Sequence, residues 1–115
     1  MSMEKELVKH LVRKAATLRY PFDKFPPVEG LRGKHVWDRE KCVGCGLCAR
    51  DCPSSAIEMI GKGLTAELKI NLGRCLFCGQ CEDGCPREAI KLTQVYELAE
   101  SDRKKLVLEF KREST

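Results

Sequence analysis

The chain has 115 residues, 43% of them hydrophobic but only seven aromatic, and a formal net charge of +4. That length suits one domain with a modest core, the size at which metals or disulfides commonly serve as staples. The basic residues form no cluster, which argues against nucleic-acid binding, and no apolar run approaches the ~20 residues that span a bilayer.

The charge is unevenly placed. Residues 1–41 hold ten Lys/Arg against six Asp/Glu, whereas residues 42–93 hold six of each and residues 94–115 five of each. The first 20 residues carry charges throughout and lack the apolar stretch of a secretory signal. The expectation is a reduced, cytosolic chain whose thiols are free to take up metal.

Residues 4–20 predict an amphipathic helix. Leu7, Val8, Leu11, Val12, Ala15 and Leu18 fall on one stripe at a 3.6-residue period, with Lys9, His10, Arg13 and Lys14 off it. Pro21 ends the pattern. The stripe suits packing on its own domain or on a partner, and the small core favours the partner. Residues 21–34 carry Pro21, Pro26, Pro27, Gly30 and Gly33 and predict an extended linker. Phe22 and Phe25 in that linker call for a neighbouring surface.

Residues 35–93 repeat themselves at an offset of 33. Cys42, Cys45, Cys48 and Cys52-Pro53 recur as Cys75, Cys78, Cys81 and Cys85-Pro86, and Ala56-Ile57 recurs as Ala89-Ile90. Each half predicts strand, cysteine loop, short helix, strand. The strands are expected at 35–38, 57–60, 68–72 and 90–93, with turns at Gly61, Gly63 and Gly73. Residues 94–113 return to roughly helical spacing through Val95, Leu98, Ala99, Leu106, Val107 and Phe110, with a charged break at 101–105 that leaves two short pieces or an extended end open. The expected architecture is α+β. A duplicated two-cluster bacterial ferredoxin core (35–93) follows an N-terminal helix and docking linker (1–34) and precedes a C-terminal helical extension (94–115).

The cysteines carry the chemistry. Each run reads C-x-x-C-x-x-C-x-x-x-C-P, and no cysteine lies outside the two runs. That spacing is the bacterial iron–sulfur run whose fourth cysteine ligates the other cluster. Two-residue gaps let three sulfurs of one loop reach three corners of a cube, and Gly44, Gly46 and Gly79 ease the curl of the loop. The expectation is two 4Fe–4S clusters, one on Cys42, Cys45, Cys48 and Cys85, the other on Cys75, Cys78, Cys81 and Cys52. Val43, Leu47, Ile57, Leu76, Phe77 and Ile90 are candidates to keep water off them. Zinc sites use paired C-x-x-C units, and a third cysteine repeated twice has no zinc rationale. With four sulfurs per cluster no coordination position is open, which favours electron transfer over catalysis. No P-loop, dinucleotide-binding glycine pattern or nucleophile elbow appears, so flavin and nicotinamide have no support. Of the two histidines, His10 is expected in solvent, and His35 either bonds backbone or tunes a cluster.

The flanks add a resemblance. Tyr20-Pro21, Pro26-Pro27 and Leu31-Arg32-Gly33-Lys34-His35 precede the first run; Tyr96-Glu97-Leu98-Ala99, Arg103 and Leu106-Val107 follow the second. Across residues 20–110 the chain resembles the two-cluster subunit I of complex I-like NADH:quinone oxidoreductases and of membrane-bound nickel–iron hydrogenases. The resemblance implies an electron-relay subunit with no active site of its own. It would lie on the cytoplasmic side of the cell membrane, held peripherally by hydrogenase-like or quinone-reductase-like subunits and by other iron–sulfur subunits. The short length looks closer to the compact, ferredoxin-linked hydrogenase group. A free, diffusible two-cluster ferredoxin is the alternative, and a zinc- or disulfide-stapled binding module is the reading from another class. Brown, iron-rich protein after anaerobic purification would exclude the last.

Overall fold

The computed structural model describes residues 3–111. Residues 1, 2 and 112–115, the outermost parts of the two extensions, lie outside the described residues. The molecule measures 71 × 27 × 23 Å, because an exposed N-terminal arm stands off a small cysteine-rich body.

The arm begins with α1 (Met3–Val12). Glu4 and Glu6 in its first turn and Lys9 and His10 in its last suit the helix dipole. The helix stops eight residues short of the expected end, and residues 13–20 are irregular. Nothing packs on the stripe of Leu7, Val8 and Leu11, which are all exposed. Tertiary packing supplies most helix stability, so an unpartnered stripe sustains only a short helix. The linker from residue 21 is largely exposed and holds no helix or strand, with turns at 20–22 and 29–30. It is tied down where Tyr20 Oη donates to Glu97 Oε1 at 2.9 Å and Lys24 Nζ meets the same oxygen at 2.7 Å.

The body is α+β. Strands β1 (His35–Trp37), β2 (Ile57–Ile60), β3 (Glu67–Asn71), β4 (Ile90–Leu92) and β5 (Val107–Phe110) form two antiparallel sheets, β1-β4 and β2-β3-β5. Short helices α2 (Leu47–Arg50) and α3 (Gln80–Asp83) follow the two cysteine loops. The four strands of the repeat lie within a residue or two of their expected places.

Pairing recurs at the offset of 33. Trp37 faces Ile90 across β1-β4, and Ile70 faces Ile57 across β2-β3. Asp38 N–H bonds the Ala89 carbonyl at 2.7 Å, and Asn71 N–H bonds the Ala56 carbonyl at 2.8 Å. The strand that feeds the first loop (β1) is therefore bonded to the strand that leaves the second (β4). The strand that feeds the second loop (β3) is bonded to the one that leaves the first (β2).

Among the described residues the C-terminal extension forms no α-helix, and the extended end left open by the sequence is what appears. A 3-10 turn at Arg103–Leu106 leads into strand β5, which pairs with β3. The helical spacing is overridden because the outer edge of β3 needs hydrogen bonds and the Val107–Phe110 strand supplies them. Phe110 then stacks on Trp37 at 5.9 Å between ring centroids and joins the two sheets.

The core is small: Ile57, Leu68, Ile70, Leu72, Cys81 and Ile90 form its buried cluster. Ile70 has no exposed surface. Ile70→Ala should cost about 2–5 kcal/mol, the range for a fully buried aliphatic side chain. Comparing the denaturant midpoints at which the loaded wild-type and variant chains lose their visible absorbance checks this.

Candidate cluster-binding site

Two cavities flank the core. Cys42, Cys45, Cys48 and Cys85 line the first, and Cys52, Cys75, Cys78 and Cys81 line the second. All eight sequence-predicted residues are brought together, and each set joins three cysteines of one run to the last cysteine of the other. The sheet pairing explains the exchange. Cys52 leads through Pro53 and Ala56 into β2, which is bonded to the strand feeding the second loop. Cys85 leads into β4, which is bonded to the strand feeding the first.

The cavities are alike in size, about 370 Å³ and 280 Å³ out to their open mouths. Val43, Leu47 and Ile90 line the first and Ile57 and Leu76 the second, as expected of water-shielding groups. Phe77 instead packs its ring against His35 at 5.7 Å. Sequence reasoning missed Trp37 and Met59 at the first cavity and Ser54 and Gln80 at the second. Trp37 and Met59 sit at alternate, inward positions of β1 and β2, a signal visible only once the strands are paired.

The donor chemistry tests what fits. Backbone N–H groups point at sulfur in both sets. Ala56 bonds Cys52 Sγ, Ala89 bonds Cys85 Sγ and Phe77 bonds Cys75 Sγ, each at 3.3 Å. Such bonds stabilise thiolate over thiol. Burial works the other way. It pushes the Cys48 thiol up to about 11, with Cys42, Cys45 and Cys85 adding to the rise. Burial and the neighbouring Cys75 push Cys81 up to about 12, and burial raises Cys75 too. At Cys52 burial is outweighed by hydrogen bonds from Ala56 and Ser54, and the thiol is lowered. Four converging sulfurs cannot all ionise in a poorly solvated cavity unless a cationic group sits between them. Among the described residues, no group of three or more His, Cys, Asp or Glu closes tightly enough for a single metal ion. The thiols stand around a space, which suits a polynuclear iron–sulfur group.

Loop curvature depends on glycine at one crowded point. Gly44 has φ +67°, and a Cβ there would fall into the Gly63 carbonyl oxygen and lie 2.7 Å from the Gly63 nitrogen.

His35 belongs to the site, whereas His10 is exposed on the arm. His35 is only 1% exposed and lines the second cavity. Its Nε2 stands 3.8 Å from Cys75 Sγ, and its Nδ1 is buried without a hydrogen-bond partner. Burial holds its pKa below the ordinary histidine value, with the Glu82 carboxylate partly opposing.

Residues 41–89 match the family of the 4Fe–4S dicluster domain. The chain is 41% identical over 102 residues to NAD(P)H-quinone oxidoreductase subunit I of Synechococcus sp. (strain JA-2-3B'a(2-13)), covering 82% of this chain and 48% of the relative. It is also 41% identical over 105 residues to the subunit of the same name from Prochlorococcus marinus (strain AS9601), covering 84% of this chain and 50% of the relative. Residues 41–89 are thus a 4Fe–4S dicluster domain, within a chain similar to subunit I. It carries two 4Fe–4S clusters.

The chain spans about half the length of the curated relatives it matches. Among solved structures it is similar to a chain of the membrane-bound sulfane sulfur reductase, an archaeal respiratory membrane complex. That match has a TM-score of 0.71 at 34% identity and covers 90% of this chain and 57% of that one.

Gly44→Ala should therefore damage the first site before the second. A Cβ in the left-handed region costs about 1–2 kcal/mol even without a clash, and here one is added. The expected result is iron content falling toward half the wild-type value after anaerobic reconstitution, measured by elemental analysis; unchanged iron would remove the packing argument.

Proposed function

We propose that this chain is an electron-transfer subunit that relays electrons through its two 4Fe–4S clusters within a membrane-associated respiratory or energy-converting oxidoreductase. The observation that carries this reading is the reach of the structural likeness. It extends over 90% of the chain, well beyond the cysteine core, to a subunit of a respiratory membrane complex. The duplicated ferredoxin core comprises residues 35–93, the docking arm residues 1–34 and the C-terminal extension residues 94–115, in which β5 braces the second sheet.

The ligands are assigned crosswise. Cys42, Cys45, Cys48 and Cys85 hold one cluster, and Cys75, Cys78, Cys81 and Cys52 hold the other. When bound, the clusters supply one-electron storage and release without bond making. The protein's own residues do the rest. The sheet pairing carries each fourth sulfur across, backbone N–H groups stabilise thiolates, and Trp37, Met59 and Ile57 narrow the access of water. With four protein sulfurs assigned to each cluster, no coordination position is left open for a substrate, which favours electron transfer over catalysis.

The partners are hydrogenase-like or quinone-reductase-like subunits and further iron–sulfur subunits, which serve as one-electron donors and acceptors. Phe22 is 90% exposed and Leu11 88%, and the arm's apolar side chains find cover on those subunits. None of the described helices is long and apolar enough to cross a membrane. Attachment is peripheral, through partners, on the cytoplasmic side.

Three measurements test this. Anaerobically purified chain should carry about eight irons, as two 4Fe–4S centres require, and Cys52→Ala should abolish the electron paramagnetic resonance (EPR) signal of the cluster on Cys75, Cys78 and Cys81 while sparing the other. Loss confined to the first-run cluster would refute the crosswise ligation. An affinity-tagged copy expressed in its native host should co-purify from detergent-solubilised membranes with other iron–sulfur subunits. Recovery solely as a soluble monomer that reduces many acceptors would replace the relay subunit with a diffusible ferredoxin.

A further inference from the structure

The two cavities are built on one plan but are not equally polar. At the offset of 33, His35 of the second cavity corresponds to Leu68, and Gln80 corresponds to Leu47. The first cavity is lined by Trp37, Leu47 and Met59, the second by His35, Ser54 and Gln80. Ser54 Oγ lies 3.7 Å from Cys52 Sγ, and His35 Nε2 lies 3.8 Å from Cys75 Sγ. Formal charge does not favour the second site: exposed Arg87 lines the first, exposed Arg32 bonds the Cys78 carbonyl beside the second, and the Glu82 carboxylate also bears on His35 there. What favours the second site is dipoles aimed at sulfur.

The position of His35 is held from both sides of the chain. Gly33 N–H bonds the Thr93 carbonyl at 2.7 Å, Lys34 N–H bonds the Val95 carbonyl at 2.8 Å, and His35 pairs with Leu92. Phe77 packs on the ring. The orphaned Nδ1 decides the proton. A neutral imidazole has one N–H; placed on Nδ1 it would be a buried donor with nothing to bond, whereas on Nε2 it faces sulfur. Hydrogen bonds to cluster sulfurs are among the factors that set the reduction potential. They stabilise the more negative, reduced state and so raise the potential.

We propose that His35 donates from Nε2 to sulfur at the second site and thereby makes the cluster on Cys52, Cys75, Cys78 and Cys81 the higher in potential of the two. This rests on the two-cluster, crosswise reading above and deepens it. Half-reduction of the chain by a one-electron donor then leaves the electron at the second site, with no bond made or broken and no proton moved. Within a complex, this end of the chain faces the acceptor and the first site faces the donor.

The wild-type chain can be tested directly, because His10 and His35 are its only histidines and His10 sits on the exposed arm. The full chain, loaded anaerobically and labelled with ¹⁵N-histidine, is poised at half-reduction and examined by pulsed EPR. Imidazole ¹⁵N coupling to the electron spin is expected at that point. Coupling that emerges only on full reduction would place His35 beside the lower-potential cluster and overturn the proposal, as would no coupling at all. In a redox titration, His35→Leu should lower the higher midpoint by about tenfold in the equilibrium constant, about 59 mV for one electron, and leave the lower one in place. Movement of the lower midpoint, or of neither, overturns it. Should His35→Leu fail to load, Ser54→Ala is expected to lower the same midpoint by a smaller amount, and an unmoved midpoint counts against the proposal. A wild-type chain without two EPR centres would speak against the two-cluster reading itself, which iron analysis distinguishes beforehand.

Discussion

The structure depends on the exchange of one sulfur between its halves. Cys52 and Cys85 each stand at the cavity of the opposite loop because the strands that follow them are hydrogen-bonded to the strands that feed that loop. Sheet pairing and thiol placement are thus the same constraint. A register slip of one residue in β2-β3 would turn Ile57 and Ile70 out of the core, and would also pull Cys52 away from the second set. Neither half can complete its own site, so each thiol set needs the other half in place. That suits a chain whose buried aliphatic set is too small to stand as an ordinary core. Binding at the thiols and closure of the fold draw on one free-energy balance.

The thiols show what this arrangement asks of the bound group. Burial raises Cys48, Cys75 and Cys81, so the empty site favours neutral sulfur. The backbone N–H groups at Cys52, Cys75 and Cys85 favour thiolate. These opposed effects are reconciled only when cationic iron occupies the cavity. Each N–H that once served the thiolate then serves the cluster, which is why small differences in polar lining between otherwise matched cavities bear on electron affinity.

Much of this was legible in the residues, and the failures have identifiable causes. Cysteine spacing needs no tertiary context, because two-residue gaps and a closing Cys-Pro state the chemistry locally, so both thiol sets could be named in advance. The strands of the repeat were legible because Ile57–Ile60 and Ile90–Leu92 follow their cysteine runs at the same interval. The C-terminal segment was legible only as a choice between helical pieces and an extended end, and the helical expectation lost. Its apolar residues fit a helical period, but Val107 and its neighbours were claimed by the open edge of β3, and nothing local records that an edge is open. α1 was drawn too long for the converse reason, since its stripe lacks the packed surface a longer helix needs. His35 stood between two readings because a histidine preceding a strand reveals its role only when the strand has a partner and the ring has a cavity.

The segment from Leu31 to His35 joins these levels. Its near end closes the exposed arm, and its far end enters β1. Gly33 lies so close to the Thr93 and Val95 carbonyls that a Cβ would clash with both. Arg32 crosses to the Cys78 carbonyl, and its guanidinium carbon would stand 2.9 Å from a Cβ at Gly79, so the second loop leaves room for it only by having glycine there. Two residues later His35 reaches the sulfur of Cys75. The segment thus ties the point where the exposed arm enters the body to the lining of the second cavity, and it does so through the same few bonds that hold β1 in place.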